Sequence, residues 1–165
     1  MKDHDMPNIS NSFALLLLTL TLTACGGKDV VKTEKPVAVR TAESTFKSLT
    51  LVQSKNSLMG ACSSNHLQVQ SAQTEVHCLQ NDIKGSRLRE VERVVNDEFA
   101  TKIQIVMQFQ LTDKNGTVSV IANTYVQYLA PVSVTSGLQT RTKNLLDDIS
   151  YDEMKALLVQ AGASD

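Results

Sequence analysis

From Ile103 to Tyr128 the chain repeats every second residue. Ile103, Ile105, Met107, Phe109 and Leu111 alternate with polar neighbours, among them Lys102, Gln104, Gln108 and Gln110, and only Val106 breaks the rule. Beyond Asp113-Lys114-Asn115-Gly116 the pattern resumes as Val118, Val120, Ala122, Thr124, Val126 and Tyr128. A period of two is the side-chain repeat of a β-strand, and Asn-Gly suits the positive backbone dihedrals of a tight hairpin turn. Asn115-Gly116-Thr117 also matches a glycosylation sequon, but the turn already accounts for it. A hairpin over about 101–129 carries one apolar face that other parts of the chain must cover.

The covering element is expected at the C-terminus. Met154, Leu157, Leu158 and Ala161 form a helical stripe over about 151–161, Gly162 is placed to stop it, and Ser150 with Glu153 reads as a capping box. A second helix is expected over 86–97 from Leu88, Val91 and Val95, with Arg87, Arg89, Glu90 and Arg93 on its wet face; a strand is the alternative. Residues 42–59 read as a helix from Phe46, Leu49 and Val52, although Leu49 and Leu51 also fit a strand. Leu67, Val69, Val76 and Cys78 suggest a short hairpin within 66–80, joined through Ser71–Thr74. Pro131 ends the long hairpin, and Val132–Thr140 reads as a loop. The class is therefore α+β: a small antiparallel sheet round the long hairpin, covered by the C-terminal helix and one or two others.

A second apolar feature lies near the N-terminus. Phe13 to Cys25 spans 13 residues, whereas a bilayer-crossing helix needs about 20. It has the length of a signal-peptide core, and it closes on Leu22-Thr23-Ala24-Cys25, which resembles the lipobox of bacterial lipoproteins. That resemblance implies cleavage before Cys25 and lipid attachment to its thiol, and Gly26 after it implies the outer membrane. A buried helix ending in cysteine is the other reading, and Gly26-Gly27 with the polar stretch through Arg40 argues against it. The expected organisation is a signal peptide at 1–24, the lipidated cysteine and a tether at 25–41, and one periplasmic domain at 42–165. Without Lys2, Asp3 and Asp5, the 16 basic and 17 acidic side chains become 15 and 15. Such a balance excludes a strongly basic nucleic-acid binder, and a 4% aromatic content without Trp disfavours stacked-ring binding surfaces.

Assigning Cys25 to lipid leaves Cys62 and Cys78 as an even pair in an oxidising compartment, so a disulfide is expected. The competing reading adds His66 and His77 as zinc ligands, but the spacing fits no common framework and His77 and Cys78 would face opposite ways on a strand. No phosphate-binding loop, metal motif or nucleophile elbow stands in the chain. Asp147, Asp148, Asp152 and Glu153 are read as acids that favour a helix N-terminus. The expected function is non-enzymatic and without cofactor, metal or small-molecule substrate: a lipid-anchored accessory protein that binds a partner in an envelope complex. The alternative is an inhibitor that presents Ser133–Thr142, with Arg141 and Lys143 beside it, to block a cleft or receptor.

Overall fold

A computed structural model describes residues 40–132 and 137–164. The signal segment, Cys25 and the tether up to residue 39 lie outside the described residues. In chain order these form β1 (Thr41–Lys47), α1 (Leu51–Ser64), β2 (Gln68–Ser71), β3 (Glu75–Gln80), α2 (Gly85–Val95), β4 (Thr101–Lys114), β5 (Thr117–Pro131), β6 (Leu138–Asn144) and α3 (Asp148–Gln160). The class is α+β, with all strand pairs antiparallel.

The β4–β5 hairpin is the spine of the sheet. Ile105 lies opposite Val126, Phe109 opposite Ala122 and Leu111 opposite Val120, so the alternating residues of both strands share one face. At its turn Asn115 and Gly116 take positive φ values of 54° and 85°, the geometry that Asn-Gly favours. On one side β4 pairs with β3, which pairs with β2. On the other, β5 takes two partners in succession: β1 along Thr117–Asn123 and β6 along Tyr125–Pro131. Outside β1 a single bridge joins Thr45 to Ser164, which protects that edge from pairing with another chain.

All three helices pack on the face that carries the alternating apolar residues, over different lengths of it. Leu58 and Cys62 of α1 and Met154 and Leu158 of α3 pack with Phe46, Phe109 and Val118 of the sheet. Val91 and Val95 of α2 pack with Ile105, Val126, Tyr128 and Leu145. Thr124 marks the division, with its buried hydroxyl donating to Met154 Sδ.

The structure corrects four expectations. Residues 41–47 are strand β1 rather than helix, because Ala42, Ser44 and Phe46 alternate inward and complete the first half of β5; the two small residues hid the period. The helix of this region instead begins at Leu51 and is capped at Thr50, with Gln53 N donating to Thr50 Oγ1 and Thr50 N donating to Gln53 Oε1. Leu138–Thr140 belong to β6 rather than a loop, a strand exposed along its whole length and therefore without an apolar signature. Finally, α3 is capped by Asp147, whose carboxylate accepts from Ser150 N at 2.8 Å; Ser150 is buried within the first turn instead of capping it.

Candidate functional site

The seam between the two packed regions is polar. Arg87 lies in the first turns of α2 at i, i+4, i+8 spacing with Val91 and Val95, so it falls on the stripe that faces the sheet. Its side chain is only 12% exposed, a correction to the wet face expected for it. The guanidinium donates from Nη1 to Asp147 Oδ1 at 2.5 Å and from Nη2 to Ser150 Oγ, and Nη2 lies 3.6 Å from Glu153 Oε2. One carboxylate thus caps α3 and holds α2 against it.

The two acids of this knot are driven in opposite directions. Burial alone would raise the Asp147 carboxyl, but the Ser150 amide and the Arg87 guanidinium outweigh it and hold the group below the ordinary aspartate range. Burial also raises Glu153, Asp147 adds to the effect, and the more distant Arg87 only partly offsets it. Asp147 is therefore the fixed charge of the pair and Glu153 the group that titrates most readily.

Glu153 also lines a cleft of about 220 Å³ between α3, the α1–β2 connection and the end of β3. Leu67, Met107, Ala156 and Leu157 give it apolar walls, and Asn65 and Gln160 form a rim in which Asn65 Nδ2 donates to Gln160 Oε1 at 2.7 Å. Gln80 Oε1 and Glu153 Oε2 are buried without a hydrogen-bond partner from the protein. A buried acceptor left without a donor costs roughly 1–3 kcal/mol, so these two oxygens weaken the packing beside the cleft.

Among the described residues, no helix packs on the sheet's second face. Leu79, Val106 and Tyr125 lie in one row across β3, β4 and β5 on this face, flanked by Gln104, Gln108 and Gln127. Leu79 and Val106 are buried, Ile121 is half exposed, and burial with the Glu75 charge raises the Tyr125 hydroxyl above its ordinary range.

The residues singled out from the sequence fall at three places. Cys62 and Cys78 form a disulfide that joins α1 to β3, both fully buried, with their Cα atoms 5.8 Å apart. Their sulfurs are consumed by that bond, and His77 stands on the uncovered face with Glu75 Oε2 3.2 Å away, so the zinc reading fails. Of the segment Ser133–Thr142, residues 133–136 lie outside the described residues, and from Leu138 onward it is β6. Both Arg141 and Lys143 are exposed; Lys143 Nζ donates to Val95 O, which ties β6 to the end of α2, and Arg141 Nη2 donates to Pro131 O of the neighbouring strand β5. Arg87, Gln80 and Glu153 were not selected as site residues. The spacing of Arg87 with Val91 and Val95 was a usable signal; nothing in the sequence links Gln80 to Glu153.

Comparison with family models, with curated proteins and with solved structures found no match to the chain.

Proposed function

We propose that the protein is an outer-membrane-anchored accessory lipoprotein, whose domain binds a protein partner and assists assembly or regulation of an envelope complex without itself catalysing a reaction. The observation that carries this reading is the buried Cys62–Cys78 bond behind a leader that closes on Leu22-Thr23-Ala24-Cys25. A disulfide inside a core is typical of exported proteins, since the cytosol keeps thiols reduced. A lipid on Cys25 would supply the anchor, because stable attachment takes more than one acyl chain and this modification class provides them.

The uncovered sheet face supports a binding role. Its half-exposed Ile121 and part-exposed Tyr125, framed by Gln108, Gln110 and Gln127, combine a small apolar centre with a polar surround and one aromatic residue, the composition of a protein interface. The inhibitor alternative would present Ser133–Thr142, of which Leu138–Thr142 belong to the exposed strand β6.

Fractionation and cross-linking test the reading together. Cys25→Ala is expected to move the protein from the membrane fraction to the soluble one and to abolish fatty-acid labelling. A photo-cross-linking residue at Gln108 is expected to capture an envelope protein, whereas one at Val159, exposed on α3, is not. Unchanged membrane retention contradicts the anchor, and equal capture at both positions contradicts the interface.

A further inference from the structure

The outer strands of the sheet end in different states. β1 is bridged at Thr45 by Ser164, with an amide donated in each direction. β2 spans four residues, whereas β6 spans seven, each of them exposed. β6 pairs with β5 on one side, and among the described residues no strand pairs with the other. The direction of its backbone groups follows from the end of the ladder. Leu145 N donates to Thr124 O, one step beyond the Tyr125–Asn144 pair, so the odd-numbered residues of β6 turn their backbone groups to β5. The amides and carbonyls of Leu138, Thr140, Thr142 and Asn144 therefore point outward along a free edge. On β2 the same count leaves only Val69 and Ser71, since Ala72 N donates to Glu75 O.

We propose that the β6 edge takes up an extended segment of a partner protein as an added antiparallel strand, and that this segment carries Asp or Glu at alternate positions. Its source, a protein partner, rests on the function proposed above. Strand addition satisfies the outward backbone groups, while side chains at alternate positions provide selection. Arg141 and Lys143 lie opposite Tyr128 and Val126 of β5, hence on one face of β6. In the added pair they occupy non-hydrogen-bonded positions, where facing side chains approach most closely. Acids two residues apart on the incoming strand stand opposite both cations, a favourable cross-strand arrangement. Asp97 lies 3.8 Å from Arg141 and offsets part of its charge; Lys143 donates to the Val95 carbonyl and has no ion-pair partner among the described residues. A second copy of the chain fits poorly. Two β6 strands paired about their midpoint set Arg141 against Arg141, and like charges directly opposite repel. The charges that keep this edge from pairing with itself thus select an acidic partner.

The test is a titration of the protein isolated from membranes in detergent, followed by NMR of its backbone amides. The probe is a blocked heptapeptide of alternating threonine and glutamate. One control replaces glutamate by lysine; a second keeps glutamate and is N-methylated at the threonines, which removes the backbone donors and leaves the charge. The glutamate peptide is expected to shift the Thr140 and Thr142 amides saturably and slow their exchange, with smaller effects at Arg141 and Lys143, whose amides already serve β5. Neither control is expected to do so. Replacing Arg141 and Lys143 together by Glu is expected to weaken the glutamate peptide about tenfold and to admit the lysine peptide. Equal binding of the lysine peptide overturns the acidic partner, and equal binding of the N-methylated peptide overturns strand addition. Protection of Thr140 and Thr142 that rises with protein concentration, without peptide, makes a second copy the occupant and overturns the proposal. Capture at Gln108 with no peptide binding overturns this inference alone; peptide binding with no capture at Gln108 supports it and contradicts only the interface on the second face.

Discussion

The two lengths of the covered sheet face come from one alternating pattern but are closed differently. Under α1 and α3 the interior is filled by large side chains, Phe46, Phe109, Leu58, Met154 and Leu158, and a disulfide binds helix to strand. These helices pack on one another and on strands at both sides of the spine, and α1 begins with a reciprocal cap. Under α2 the residues are fewer, the helix has no side-chain cap, and it makes no comparably extensive contact with any single element. Charged and polar groups do the fastening there: Arg87 to Asp147, and Lys143 to Val95 O. Alternation therefore determines which face is covered, whereas side-chain volume and helix contacts determine how firmly. The candidate cleft is lined from the tightly packed side, and only Glu153, 3.6 Å from Arg87, connects it to α2.

Substitutions can break this comparison. Phe109→Ala is expected to cost about 3–5 kcal/mol in denaturant unfolding, since it removes a fully buried ring from the tightly packed region. A loss no larger than that of Val126→Ala under α2 would erase the distinction. Replacing Cys62 and Cys78 together by Ala is expected to cost about 3 kcal/mol, because the unfolded chain regains the freedom of the loop they close. Arg87→Met should cost less, about 1.5–3 kcal/mol, through loss of charge-assisted hydrogen bonds to Asp147 and Ser150. Its diagnostic is location: exchange of α2 amides should quicken while α1 is unaffected. Thr50→Ala, at the cap of α1, is expected to cost about 1 kcal/mol.

Acid sharpens the same boundary. Asp147 is held below its unfolded value, so its contribution is present above the ordinary aspartate range and is lost as pH falls through the folded value. Glu153 is held above its unfolded value, so the native state binds its proton more tightly and stability declines as pH rises from the ordinary glutamate range through the folded value. Asp147→Asn should flatten the first dependence and Glu153→Gln the second, as read by unfolding midpoints across pH.

What was legible in the sequence follows from how each element is buried. The long hairpin was visible because most of its many inward positions hold a sizeable apolar residue, and α3 because its stripe recurs at helical spacing. β1 was obscured because two of its three inward residues are Ala42 and Ser44, and β6 because none of its residues is buried. The α3 cap was displaced because Ser150 and Glu153 imitate a capping box one turn inside the helix, whereas Asp147 also serves Arg87, a long-range partner. The disulfide was readable from the pair of cysteines that remains once Cys25 is set aside with the lipobox-like segment. The cleft was not, since it joins residues of the α1–β2 connection, β3, β4 and α3 that only the tertiary fold brings together.

Native-state hydrogen exchange along β5 tests the division most directly, because a single strand runs through both regions. Amides of Val118–Ala122 are expected to exchange only by global unfolding, and those of Val126–Ala130 by a smaller opening in which α2 and β6 separate from the sheet. Equal protection, with the same denaturant dependence along the whole strand, would contradict the account.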